Sequence, residues 1–236
     1  VDSGQVKVAL KAYVEGLSSH PQFKEQRLLG MEQMLFSDSS TTRAVSTDLE
    51  PLTPLLRLAK IAYELDTDLL TERLKEHGYD LHKHKTEFKA GEVGYYIALN
   101  HEEKVMVIGV KGTNSFADAL TNCIGVTMPH ICDPCCPYTG VEHGREIRCH
   151  EGMLTAANNL CDDLADAIKN VAFRGGYMTK IVGHSLGAGT AALVGILLRT
   201  RGTNERLRDP RFLRAWAFAC PALLDIASAR DSSPFI

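Results

Sequence analysis

Apolar positions in the first third of the chain recur at helical spacing. They do so over Val6 to Leu17 and Gln22 to Phe36, with Ser19-His20-Pro21 breaking between them. The Ser/Thr-rich stretch from Ser37 to Thr47 reads as a linker or mobile loop. Leu52 to Leu65 is a stronger amphipathic helix, with Pro54 in a first turn and Leu55, Leu56, Leu58, Ala59 and Ala62 favouring one face. Asp66 or Thr67 can cap a second helix that reaches Glu76 and is stopped by His77-Gly78. Such stripes usually face a core; the alternative here is a surface turned toward a membrane.

The pattern then becomes extended. Val93 to Leu99 and Val105 to Val110 read as strands joined by the polar turn Asn100-His101-Glu102-Glu103, and Gly112-Thr113 follows the second strand. Asn114 to His150 shows little periodicity and reads as a long functional or mobile loop. Gly152 to Phe173 returns to a helical pattern, with Met153, Ala157, Leu160, Leu164, Ile168 and Val171 as its stripe. Met178 to Val182 reads as a buried strand, Ala188 to Arg201 as a helix, Phe212 to Ala219 as a strand, and Leu223 to Arg230 as the start of another helix. Alternating strands and helices imply an α/β fold with a mostly parallel sheet, helices on both faces, and sites at the carboxyl ends of strands. Residues 1–50 are expected to form a helical N-terminal extension and linker, and residues 51–236 the α/β domain.

Composition narrows the partners. A formal net charge of -3, without a block of like charges, gives no hint of nucleic acid. The most apolar stretch, Ala191 to Leu198, is far short of the roughly 20 residues that span a bilayer. No signal peptide is visible, although a chain that begins at Val1 leaves room for a removed targeting segment. Seven cysteines, an odd number, fit a reducing compartment better than a disulfide scaffold. A cytoplasmic or membrane-associated location is therefore expected. Cys132, Cys135, His143 and Cys149, with His150 nearby, contain enough ligands for a structural zinc, but their spacing is irregular. The leading expectation is free thiols and no cofactor, with a local disulfide as a further alternative.

The chemistry concentrates at Gly183-His184-Ser185-Leu186-Gly187, a G-x-S-x-G sequence between a strand and a helix. That setting is the one a nucleophile elbow requires. Serine needs a base to take its proton, and the tetrahedral intermediate needs donors for its oxyanion. The Leu186 N–H, opening the following helix, is one such donor. Gly112-Thr113-Asn114-Ser115, after an earlier strand, is placed to supply a second.

Four blocks resemble the class 3 lipases, a fungal-lipase-like group of α/β hydrolases, with the diacylglycerol-lipase-like branch most similar. They are Val107 to Thr113, then Asp118, then Cys149 to Leu154, then Ile181 to Gly189, in the family's order within roughly residues 90–236. The resemblance implies Ser185 as nucleophile, Thr113 as an oxyanion donor through its N–H and hydroxyl, and the Leu186 N–H as the other. It further implies hydrolysis of acylglycerol esters, often under a lid that follows the Thr113 position. Two positions depart from the family: Ala119 stands where an aromatic is usual, and Lys111 where an arginine is usual. Both bear on local packing only.

The order serine, acid, histidine expected of this fold is incomplete here. No histidine follows Ser185. Asp209, Asp225 and Asp231 are poorly placed as the acid, and His143, His150 and His184 would each require a foreign chain order or a different direction at the elbow. His150 reads better as a structural residue that orders the loop before the Gly152 helix. The domain is thus expected to be truncated at its C-terminus, with acid and base beyond Ile236 and this chain inactive by itself. The expected function is a serine ester hydrolase acting on acylglycerols or another lipid ester, with contact at a membrane surface. The alternative is a catalytically silent hydrolase-fold module for lipid binding or signalling.

Overall fold

The computed structural model describes residues 50–87, 89–112, 127–131, 146–201, 205–221 and 223–224. The helices expected before residue 50, and the one expected from Leu223 to Arg230, lie outside these residues apart from Leu223 and Leu224. So do Thr113, Cys132, Cys135 and His143.

Helix α1 (Thr53–Ile61) begins with Pro54 in its first turn, and buries Leu58, Ala59 and Ile61. Helix α2 (Thr67–Glu76) is capped by Asp66, whose carboxylate accepts from the Asp68 and Leu69 amides at 2.8 and 3.1 Å. It buries Leu70 and Leu74, and the chain turns away through Gly78 at φ +79°. Strand β1 (Asp80–Lys85) follows, its sequence DLHKHK too polar to announce a strand. It forms an edge, pairing antiparallel with β2 (Tyr95–Asn100), and needs only half-buried positions. Lys85 fixes it to the layer behind by ion pairs with Asp163 at 2.8 Å and Glu92 at 3.1 Å.

Strands β2 and β3 (Val105–Val110) form an antiparallel hairpin around the turn at residues 101–104, both almost wholly buried. The segment read as irregular from Asn114 to His150 contains a second, two-stranded antiparallel sheet, β4 (Thr127–Ile131) with β5 (Glu146–His150). Strand β4 contains Pro129, which argues against a strand, and β5 alternates, with Ile147 and Cys149 as its apolar positions, over only five residues. His150 ends β5 and caps α3 (Glu151–Ala167), its Nδ1 accepting from the Met153 amide at 3.3 Å. A π-helical stretch, Ile168–Arg174, carries α3 onward.

Strand β6 (Met178–His184) and strand β7 (Leu213–Phe218) complete the main sheet, in the order β1-β2-β3-β6-β7. Pairs β3–β6 and β6–β7 are parallel, and β2 alone runs against the other four strands. Helix α4 (Leu186–Arg201) lies between β6 and β7 in sequence and is buried nearly all round. Its one buried guanidinium, on Arg199, donates to the Leu213 carbonyl of β7.

Alternation along each strand divides the core into two layers. Tyr95, Ile97, Met106, Ile108, Ile181, Leu213 and Ala215 face α3 and α4. Tyr96, Ala98, Val105, Val107 and Val182 face α1 and α2. The α/β architecture with helices on both faces is therefore present. Among the described residues, no helix is long and apolar enough to cross a membrane.

Candidate active site

Parallel strands β3, β6 and β7 end side by side, with Val110 opposite Gly183 and His184 opposite Phe218. The chain must leave β6 and enter α4 within one residue. Ser185 makes that reversal in the left-handed region, at φ +58°. A non-glycine residue there is strained by roughly 1–2 kcal/mol, and such strain survives only where the surroundings over-determine it.

Those surroundings are visible. A Cβ on Gly183 would lie closer than 3.0 Å to the Gly187 carbonyl and the Ala188 amide nitrogen. A Cβ on Gly187 would lie equally close to the Val110 carbonyl and the Gly112 amide nitrogen. All of these are main-chain atoms that cannot swing aside. The two glycines of the motif therefore let the first turn of α4 press onto the ends of β6 and β3. The Ser185 amide donates to the Phe218 carbonyl at 3.0 Å, and the Ser185 carbonyl accepts from the Ala188 amide at 2.9 Å. The serine backbone is thus held from both sides. Among the described residues its hydroxyl has no hydrogen-bond partner.

Leu186 opens α4, so its N–H has no acceptor within the helix and stands beside Ser185 at the positive end of the helix dipole. Thr113 lies outside the described residues, but the strand leading into it is fixed. Gly112, its neighbour, packs so tightly that a Cβ there would strike the His184 carbonyl and the Tyr63 hydroxyl. The end of β3 and the elbow are in direct contact.

Tyr63 has a part that the sequence reading did not give it. Its hydroxyl donates to the His184 carbonyl at 3.1 Å and lies 3.1 Å from the His184 Nδ1. The two rings meet edge to face, with centroids 6.0 Å apart. The contact joins residues 121 apart, beyond the reach of any local pattern. A usable signal existed: Tyr63 continues the stripe of Leu55 and Ala59 by one helical turn, placing a polar tip on a core-facing row.

The remaining expected residues disperse. His150 serves α3 as its cap, and its amide donates to the Leu223 carbonyl at 3.0 Å. Asp209 sits before β7, at the end of the sheet remote from Ser185. Arg211 grips its carboxylate at 2.8 Å and holds it below the usual carboxylate range. Cys149 is buried in the core, and its strand bridges to Leu224. Cys161 is half-buried on α3, and desolvation pushes its thiol up to about 12, which makes it inert.

Comparison with known proteins agrees with this geometry. A family model described as lipase (class 3) matches residues 107–233, more than half of the chain. Human diacylglycerol lipase-alpha is 37% identical over 116 residues, which cover 46% of this chain and 10% of that protein. Mouse diacylglycerol lipase-beta is 33% identical over 139 residues, covering 56% of this chain and 18% of that protein. The chain therefore matches only a small part of these relatives' length. Among solved structures, a lipase from Rhizopus microsporus var. chinensis superposes with a TM-score of 0.62 at 22% identity, covering 81% of this chain and 64% of that one. Lipase II from Rhizopus niveus gives a TM-score of 0.62 at 19% identity, with 81% and 69% covered. At such identities the superpositions speak for the fold, which is that of the α/β hydrolases. With the elbow, the strand order and the family match in agreement, the chain belongs to the class 3 lipase family, in its diacylglycerol-lipase-like branch.

Proposed function

We propose that this chain carries the nucleophilic half of a serine ester hydrolase that cleaves acylglycerols. The observation that carries the reading is Ser185 at φ +58°, strained between two glycines that admit no side chain. A strained serine at the mouth of a parallel sheet is costly to keep for packing alone, and it presents Oγ away from the turn.

In this reading Ser185 Oγ attacks the ester carbonyl carbon while a histidine takes its proton. The carbonyl oxygen becomes an oxyanion, received by the Leu186 N–H and by Thr113 through its N–H and hydroxyl. The intermediate collapses, the glycerol oxygen leaves with the proton from the histidine, and an acyl-serine remains. Water, deprotonated by the same histidine, then releases the fatty acid. No histidine follows Ser185 in the sequence, and chain order in this fold assigns acid and base to positions after the nucleophile. We place both beyond Ile236, so that these 236 residues alone would not turn over.

The same absence favours one other reading, a silent module that binds lipid without cleaving it. A fluorophosphonate probe applied to the full-length protein separates the two. Covalent labelling that disappears in Ser185→Ala is the expected result. A full-length protein that binds lipid vesicles but never labels would be the silent module.

A further inference from the structure

The Tyr63 hydroxyl stands where three segments of chain meet: the end of α1, the end of β6 and the end of β3. It donates to the His184 carbonyl and touches the His184 Nδ1, both at 3.1 Å. Gly112 leaves room for it, because any Cβ there would overlap both this hydroxyl and the His184 carbonyl. Helix α1 is itself held in place by a second hydroxyl. Tyr96 of β2 is fully buried and donates to the Leu58 carbonyl at 2.8 Å. Its ring crosses β3 over Gly109, where a Cβ would lie inside the ring's own contact distance. Tyr63 is thus mounted on an anchored helix end.

Two hydrogen bonds on one phenol fix a proton. The hydroxyl has a single hydrogen, and the carbonyl can only accept, so that hydrogen belongs to the carbonyl bond. The bond to Nδ1 then requires the imidazole to be the donor. Neutral His184 is held as the Nδ1–H tautomer, with the Nε2 lone pair left as acceptor. Burial raises the Tyr63 phenol above its ordinary value, which favours the protonated, donating form.

We propose that Tyr63 is a positioning residue for the elbow, clamping carbonyl and ring of His184 as one unit against the end of β3. The inference rests on Ser185 being the nucleophile. The His184 carbonyl belongs to the peptide that ends at the Ser185 nitrogen, so fixing it fixes the peptide plane from which the serine turns at φ +58°. Through the Gly112 contact, the same hydroxyl sets the spacing between the elbow and the strand that leads into Thr113. Nucleophile and the end of β3 then keep one geometry, and displacements of the order of 1 Å can cost about 100-fold in rate.

The test uses the full-length protein and two readouts. In Tyr63→Phe, which keeps the ring and loses only the hydroxyl, kcat on a soluble short-chain ester and the fluorophosphonate labelling rate should fall about tenfold or more. KM should stay within about twofold of the parent, because the clamp touches no substrate. Separately, imidazole 15N shifts of His184 in a Ser185→Ala protein, assigned by their loss in His184→Gln, should report Nδ1–H in the neutral ring. An Nε2–H tautomer in that parent overturns the clamp without any Tyr63 variant. Equal labelling rates in parent and Tyr63→Phe overturn it as well. If the wild-type protein itself does not label, the hydrolase reading falls, and the tautomer alone decides the clamp.

Discussion

The end of β6 is held differently on its two faces. Toward α4 the contact is steric: Gly183 and Gly187 bring main chain against main chain, with no polar side chain between. Toward α1 the contact is polar, made by a tyrosine hydroxyl on the carbonyl and ring of His184. Strand alternation imposes the division, since Gly183 points one way and His184 the other. The comparison teaches what each face can do. Excluded volume decides whether the turn exists; a hydrogen bond decides how finely it is aimed.

The largest break is expected on the steric face. Gly183→Ala places a methyl against the Gly187 carbonyl and the Ala188 amide. Overpacking usually costs 1–3 kcal/mol, and with rigid main chain as the neighbour we expect about 3 kcal/mol or more. Urea denaturation measures it, and a loss under about 1 kcal/mol would mean that the turn yields more readily than its geometry implies.

The polar face should break less. Tyr96→Phe leaves the Leu58 carbonyl without its buried donor, at a cost of about 1–2 kcal/mol. Because this loosens the mount of Tyr63, labelling of Ser185 should slow as well, by a smaller factor than in Tyr63→Phe. A variant that loses stability and keeps its full labelling rate would uncouple α1 from the elbow.

The smallest expected effect has the opposite sign. Ser185→Gly relieves the left-handed strain and should stabilise by about 1 kcal/mol while abolishing labelling. Ala219→Gly, at φ +50° just past β7, should gain a similar amount with labelling unchanged. Melting temperatures of the two variants compare strain at the serine with strain at the neighbouring end of β7. If only Ala219→Gly stabilises, then Ser185 is not strained in the way its φ suggests.

Much of this was legible beforehand, for physical reasons that differ by element. The elbow could be read because its requirements are steric and local, so three fixed residues between a strand and a helix carry them. Helix α2 announced a cap at Asp66 or Thr67, of which Asp66 serves, and a stop at His77-Gly78. Strand β1 could not be read, since an edge strand buries little and DLHKHK has no apolar alternation. Strands β4 and β5 were hidden by their length and by Pro129. Tyr63 escaped because its partner is 121 residues away, and sequence periodicity has no memory over that distance.

That separation also orders events at the ribosome. At about 5–20 residues per second, roughly 6–24 s pass between the synthesis of Tyr63 and that of His184. Through that interval the β2–β3 hairpin can form, but among the described residues the partner of the other β3 edge, VMVIGV, is β6, which is not yet made. The nascent chain therefore passes through an aggregation-prone stage whose end coincides with emergence of β6. The elbow is completed later, when the first turn of α4 and the Phe218 carbonyl of β7 close on Ser185. A strained serine, beside the opening of a helix, exists only once the sheet has closed around it.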